Sequence, residues 1–84
     1  MVRVLRMKVV TSEKVKAFAD VEVNEMRING IKLLRGEKED YLGYPTEKGG
    51  DGKYYEIVVP VTQNVEEEII KAVKVEYERR TKNG

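Results

Sequence analysis

Apolar and polar positions alternate without a break along residues 15–23. Val15, Ala17, Ala19, Val21 and Val23 fall in one phase, Lys16, Phe18, Asp20 and Glu22 in the other. Such a period of two belongs to a strand with one face buried and one in water. Residues 2–10 alternate less cleanly: Arg6 and Lys8 separate Leu5, Met7 and Val9, but the adjacent Val4 and Leu5 break phase, which predicts a bulge or a late start. Residues 26–35 also change phase. Met26 and Ile28 occupy one, Ile31 and Leu33 the other, and Asn29–Gly30 stands at the switch, where a glycine inside a strand pattern marks a bulge. Aromatic-rich runs at 41–45 and 53–61 read as two further strands, and the polar stretches "TSEK", "NE" and "GEKED" as turns.

Beyond Pro60 the period lengthens. Val65, Ile69, Ala72 and Val73 recur at helical spacing, which predicts a helix over residues 65–82. Asn64 is placed as its N-cap, with Glu67 completing a capping box. Glu66, Glu67 and Glu68 open the helix, Arg79, Arg80 and Lys82 end it, and Asn83–Gly84 closes it, a polarity matched to the helix dipole. Glu67–Lys71, Lys74–Glu78 and Glu78–Lys82 are spaced for ion pairs along the surface. The expected fold is α+β. An antiparallel sheet of about five strands in hairpins spans residues 2–61, with the long C-terminal helix packed on it as one domain over residues 1–84.

The helix has more apolar surface than one sheet needs. Ile70 and Tyr77 widen its stripe on one side and Val75 lies on the other, about twice the ~100° arc that packs on a sheet. Phe18 projects on the otherwise charged side of its strand. Phe18, Ile70, Val75 and Tyr77 are therefore candidate contacts of a homodimer.

The glycine-dense "EKGGDG" raises the possibility of a phosphate loop. Such a loop leads into a helix N-terminus, whereas here β-branched and aromatic residues follow in "KYYEIVV", and Asp-Gly between strands signals a hairpin tip. Composition narrows the chemistry further. The chain has 84 residues, a net charge of +1, no cysteine and no histidine. A disulfide framework, a thiolate metal site and the usual general base near neutral pH are thus absent. Glu56 is the one acidic residue in a strongly apolar run, and its alternation with Tyr55 and Ile57 points it to solvent. The expectation is a non-enzyme with no cofactor, no metal and no small-molecule substrate. No stretch approaches the ~20 apolar residues of a membrane span, so no membrane insertion and a cytoplasmic location are expected.

Charge is unevenly spread. Residues 1–36 hold eight Lys/Arg against four Asp/Glu, and residues 37–84 hold eight against eleven. Candidate phosphate contacts are Lys48 and Lys53 on the hairpin, near Tyr41, Tyr44, Tyr54 and Tyr55, and Arg79, Arg80 and Lys82 at the helix end. Lys71 and Lys74 are secondary.

The ordered landmarks "YLGYPT", "DGKYYEIVVPV" and "IIKAVKVEY" resemble the SpoVG family (stage V sporulation protein G) over residues 4–77. The matching positions are Pro45, Thr46, Asp51, Gly52, Ile57, Pro60, Ala72, Val73 and Tyr77, and upstream "RMKVVTSEKVKAFADVEV" has Lys16 and Ala17 in their usual places. Where the family commonly has histidines, this chain has Asn29–Gly30 and Val59, and its hairpin tip is less basic. The resemblance implies a small dimeric regulator, linked to septation and sporulation, that binds DNA and RNA. The competing expectation is a protein-interaction module of division or regulatory complexes, in which a sheet edge or the wide helix face docks a partner without nucleic acid.

Overall fold

The computed structural model describes residues 1–82. Three long strands, β1 (Val2–Val9), β2 (Val15–Val23) and β3 (Met26–Leu34), form an antiparallel meander, and the short β4 (Tyr41–Gly43) pairs with the end of β3. β5 (Thr46–Lys48) and β6 (Tyr54–Glu56) pair with each other as a separate two-stranded sheet, and α1 (Gln63–Lys82) follows. The architecture is the expected α+β, with the strands divided four and two instead of forming one sheet.

That division has a local cause. After β4 the Tyr44 side chain turns into the core, and Pro45, which has no N–H, cannot extend the ladder. The Pro45 carbonyl instead accepts the Ile57 N–H at 2.9 Å, which starts the second hairpin. Of the expected strand at 53–61 the ladder keeps Tyr54–Glu56. The glycine-rich stretch is indeed a hairpin tip: Gly49 N–H donates to the Lys53 carbonyl at 2.7 Å, and Gly52 adopts a positive φ of 84°. The strand after it leaves no helix N-terminus for an anion.

One face of the main sheet is covered by α1. Met7, Ala17, Ala19, Val21, Val23, Ile31 and Leu33 are buried there against Ile69 and Val73, with Tyr44 sealing one side. The helix runs alongside β1 in the same direction. Its start lies near the N-terminal amine, 4.0 Å from Glu68, and near its end Arg80 Nη1 donates to the Met7 carbonyl at 3.2 Å. The cap differs from the expected Asn64. Thr62 is the N-cap, its Oγ1 accepting the Val65 N–H at 3.3 Å and its carbonyl the Glu66 N–H, so the helix begins at Gln63 and Asn64 lies inside its first turn. Glu67 accepts from the Gln63 side chain rather than completing a box. Asn83–Gly84, expected to close the helix, lies outside the described residues.

Three register shifts in the strands decide which way side chains face. Opposite Asp20, β1 carries the extra residue Leu5 and β3 carries the extra pair-breaking step at Asn29–Gly30. Gly30 has a φ of 82°, and its N–H donates to Asp20 Oδ1 at 3.0 Å. These are the two bulges expected from the phase breaks. A third, at Lys16 between Val15 and Ala17, was hidden in the clean alternation of β2. It turns Lys16 toward the helix, where its ammonium lies 2.5 Å from Asp40 and 4.8 Å from the centre of the Tyr77 ring.

Candidate nucleic-acid interface

The cations expected to contact phosphate are not gathered in one place. Lys48 and Lys53 flank the tip of the second hairpin, which is rooted where residues 58–60 line a cleft with Val65 and Ile69, at the start of α1. Arg79, Arg80 and Lys82 lie at the other end of the helix, roughly 21 Å along its axis from Val65 to Arg79. The hairpin also has its own acids: Glu47, Asp51 and Glu56 outnumber its two lysines. At the tip the Tyr55 hydroxyl donates to the Asp51 carboxylate, and the Lys53 N–H donates to the same carboxylate at 2.9 Å. The Tyr55 bond holds the Asp51 carboxyl below its ordinary range and pushes the Tyr55 phenol up. A tyrosine tied in this way, with its ring close over Gly49, is committed to the turn.

At the helix end, Glu76 accepts from both Arg79 and Arg80, at 2.8 and 2.7 Å. Those bonds, with Arg79 the larger cause, hold the Glu76 carboxyl below the usual carboxylate range. Arg80 is further spent on the Met7 carbonyl. Among the described residues the helix-surface pairs are thus built on Glu76, and the three spacings the sequence suggested form none within 4 Å. Lys71 is exposed and Lys74 half-buried on the helix flank, and over its length α1 carries five Asp/Glu and five Lys/Arg. Of the hairpin tyrosines, Tyr44 is buried at 8% exposure, which removes it as a base-stacking surface.

The face of the main sheet turned away from α1 carries what these sites lack. Alternation in β2 puts Phe18, Asp20 and Glu22 on that face, because Ala17, Ala19, Val21 and Val23 are buried on the other. Residues directly opposite in an antiparallel ladder share a face. Lys8 and Lys32 flank Phe18, Arg6 stands opposite Asp20, and Arg3 and Arg27 flank Glu22. Five cations therefore share this surface with two carboxylates. Arg3 is paired with Glu22, while Arg6, Lys8, Arg27 and Lys32 have no carboxylate within 4 Å among the described residues. The basic balance of residues 1–36 points to an electropositive face in this half of the chain, but Arg3 and Lys8, and likewise Arg27 and Lys32, are five apart and fall in opposite phases, so alternation alone does not assemble the set. The bulges at Leu5 and Asn29–Gly30 bring each pair onto one face.

The expected dimer contacts divide in two. Tyr77 packs on the core of the single chain and Ile70 is half-buried, whereas Val75 is 60% and Phe18 38% exposed. A larger apolar surface lies elsewhere: Tyr54, Ile57, Val59 and Val61 are exposed in succession, with Met26 also exposed. Among the described residues no group of three acidic side chains could hold a metal ion, and no helix is long and apolar enough to cross a membrane.

The SpoVG family model matches residues 1–79. The chain belongs to the SpoVG family. It is 32% identical over 77 residues to the Clostridium acetobutylicum protein named "Putative septation protein SpoVG", covering 89% of this chain and 81% of that one. It is 30% identical over 82 residues to the Lachnoclostridium phytofermentans protein of the same name, covering 95% and 88%. An archaeal relative of that name, from Archaeoglobus fulgidus, is 31% identical over 67 residues, covering 79% of each. The names these relatives carry connect the family to septation. The fold described above is therefore the frame on which this SpoVG member carries its basic sheet face and its exposed apolar run.

Proposed function

We propose that this SpoVG member is a non-catalytic regulator of the septation class that binds nucleic acid as a homodimer. The observation that carries the reading is the set of four unpaired cations, Arg6, Lys8, Arg27 and Lys32, on one sheet face. Phosphate binding releases counterions in proportion to the cations engaged, so a patch of free charge supports affinity where neutralised arginines do not. The sheet face replaces the helix end as the principal contact, and Lys48, Lys53, Lys71, Lys74, Arg79, Arg80 and Lys82 serve as its periphery.

Dimerisation is supported by residues 57–61. They follow β6 as apolar chain outside any ladder, and β5 and β6 leave sheet edges free for a second copy. Sedimentation at micromolar concentration is expected to give a dimer, and Ile57→Asp/Val59→Asp a folded monomer. A monodisperse wild-type monomer ends this part of the proposal. For nucleic acid, four engaged cations predict a duplex salt slope of about −3.6, or ~150-fold weaker binding from 50 to 200 mM salt. An anisotropy titration showing no binding to any strand or duplex at ~50 mM salt refutes the reading. It would leave the interaction module, which the exposed apolar run favours, as the function.

A further inference from the structure

We infer that the open face of the main sheet is a stacking platform for single-stranded nucleic acid, with Phe18 the surface on which a base lies. This rests on the nucleic-acid reading above and assigns its site and its strand form. Phe18 is on β2, an interior strand of the sheet, 38% exposed and turned away from the helix. Lys8 and Lys32 stand directly opposite it on the two neighbouring strands, so Phe18 is the middle residue of a row ~10 Å across with a lysine at each end. Farther along the same face come Arg6 beside Asp20, then Arg27 beside Glu22, the latter row about 13 Å from Phe18 at strand rise. A ring with cations on both sides and more along one direction fits a base on the ring and its backbone phosphates on the lysines and arginines.

Width and charge select the ligand. The outer strands of a four-stranded sheet stand ~14 Å apart, whereas the major groove of a duplex is about 12 Å wide and admits a helix or a two-stranded ribbon. In a duplex the base faces are also stacked on one another and closed to Phe18. A second copy of the chain docked face to face would oppose five cations and two carboxylates to the same set, which like charge disfavours. A polyanion with unstacked bases satisfies both the ring and the unpaired cations.

The test uses labelled mixed-sequence oligonucleotides of ~12 nucleotides, as DNA single strand, RNA single strand and DNA duplex, titrated by anisotropy at ~50 mM salt. Both single strands are expected to bind more tightly than the duplex, because stacking uses a base face common to both. Phe18→Ala should weaken single-strand binding between ~5-fold and ~150-fold while leaving duplex binding within about twofold, and Phe18→Trp should restore it. Lys8→Glu/Lys32→Glu should weaken both forms and make the salt slope shallower by about 2. Thermal melts check that these surface variants fold. If the wild type binds but prefers duplex, or Phe18→Ala leaves single-strand affinity unchanged, the inference falls and the broader reading stands. A Phe18→Ala variant that sediments as a monomer shows the face to be a self-association surface and also overturns it. If the wild type binds no nucleic acid at all, the broader reading falls with it.

Discussion

Replacing Gly30 by alanine tests whether the bulge opposite Asp20 is a backbone requirement. A Cβ added at Gly30 would meet nothing within 4 Å, so packing contributes no penalty. What remains is the φ of 82°, a left-handed conformation that costs an L-residue ~1–2 kcal/mol. Alanine also restricts the unfolded chain, which returns ~0.4–1 kcal/mol. The net expectation is a loss of about 1 kcal/mol, or ~4–8 °C in Tm for a domain of this size. Gly50 supplies the control, since a Cβ there also meets nothing but its φ is not positive. Gly50→Ala should stabilise by ~0.4–1 kcal/mol, so the two variants should differ by roughly 1.5–2 kcal/mol. Gly30→Asn should fall between them, because asparagine tolerates the left-handed region. Urea denaturation at one fixed protein concentration measures all three and keeps any dimer contribution constant. Equal stabilities for Gly30→Ala and Gly50→Ala would refute the assignment of strain to this bulge.

Two further outcomes concern polar groups in or beside the core. The Lys16–Asp40 pair, with side chains 17% and 21% exposed, lies between a surface and a buried salt bridge; a double-mutant cycle with Lys16→Met and Asp40→Asn should give a coupling of about 1 kcal/mol, and a value near zero would show the pair to be incidental. Burial, aided by Glu66 and Glu56, pushes the Tyr44 phenol up to about 12 from 10.0. The folded state therefore holds the proton longer than the unfolded state. Its stabilising contribution is complete below pH 10 and is lost as pH rises to 12, ~2–3 kcal/mol in all. Tyr44→Phe should flatten that part of the stability curve relative to wild type, and parallel curves would contradict it.

The fold was legible where one physical rule dominated. Alternation in β2 and the helical stripe from Val65 to Val73 each reflect burial on a single face, which a period detects directly. The phase breaks at Val4–Leu5 and Asn29–Gly30 were readable as bulges for the same reason. Their consequence was not, since which charged residues share a face depends on where each bulge meets the neighbouring strand. The Lys16 bulge left no trace because valine, lysine and alanine keep their alternation across it. Thr62 and Asn64 are both good cap residues, and the choice between them is made by where the backbone leaves Pro60. The acid-paired state of Arg79 and Arg80 was hidden for a related reason. Glu76 is spaced correctly for both, yet three other carboxylate–lysine spacings on the same helix look equally favourable and do not form.

The element that covers the sheet follows it in the chain. At a synthesis rate of ~5–20 residues per second, adding the twenty residues of α1 takes one to several seconds once the strands before it are made. Without α1, Met7, Val21, Ile31 and Leu33 would form a bare apolar plane, with β1 as an open edge. A chain stopped before Ile69 and Val73 should accordingly precipitate instead of persisting as a soluble sheet.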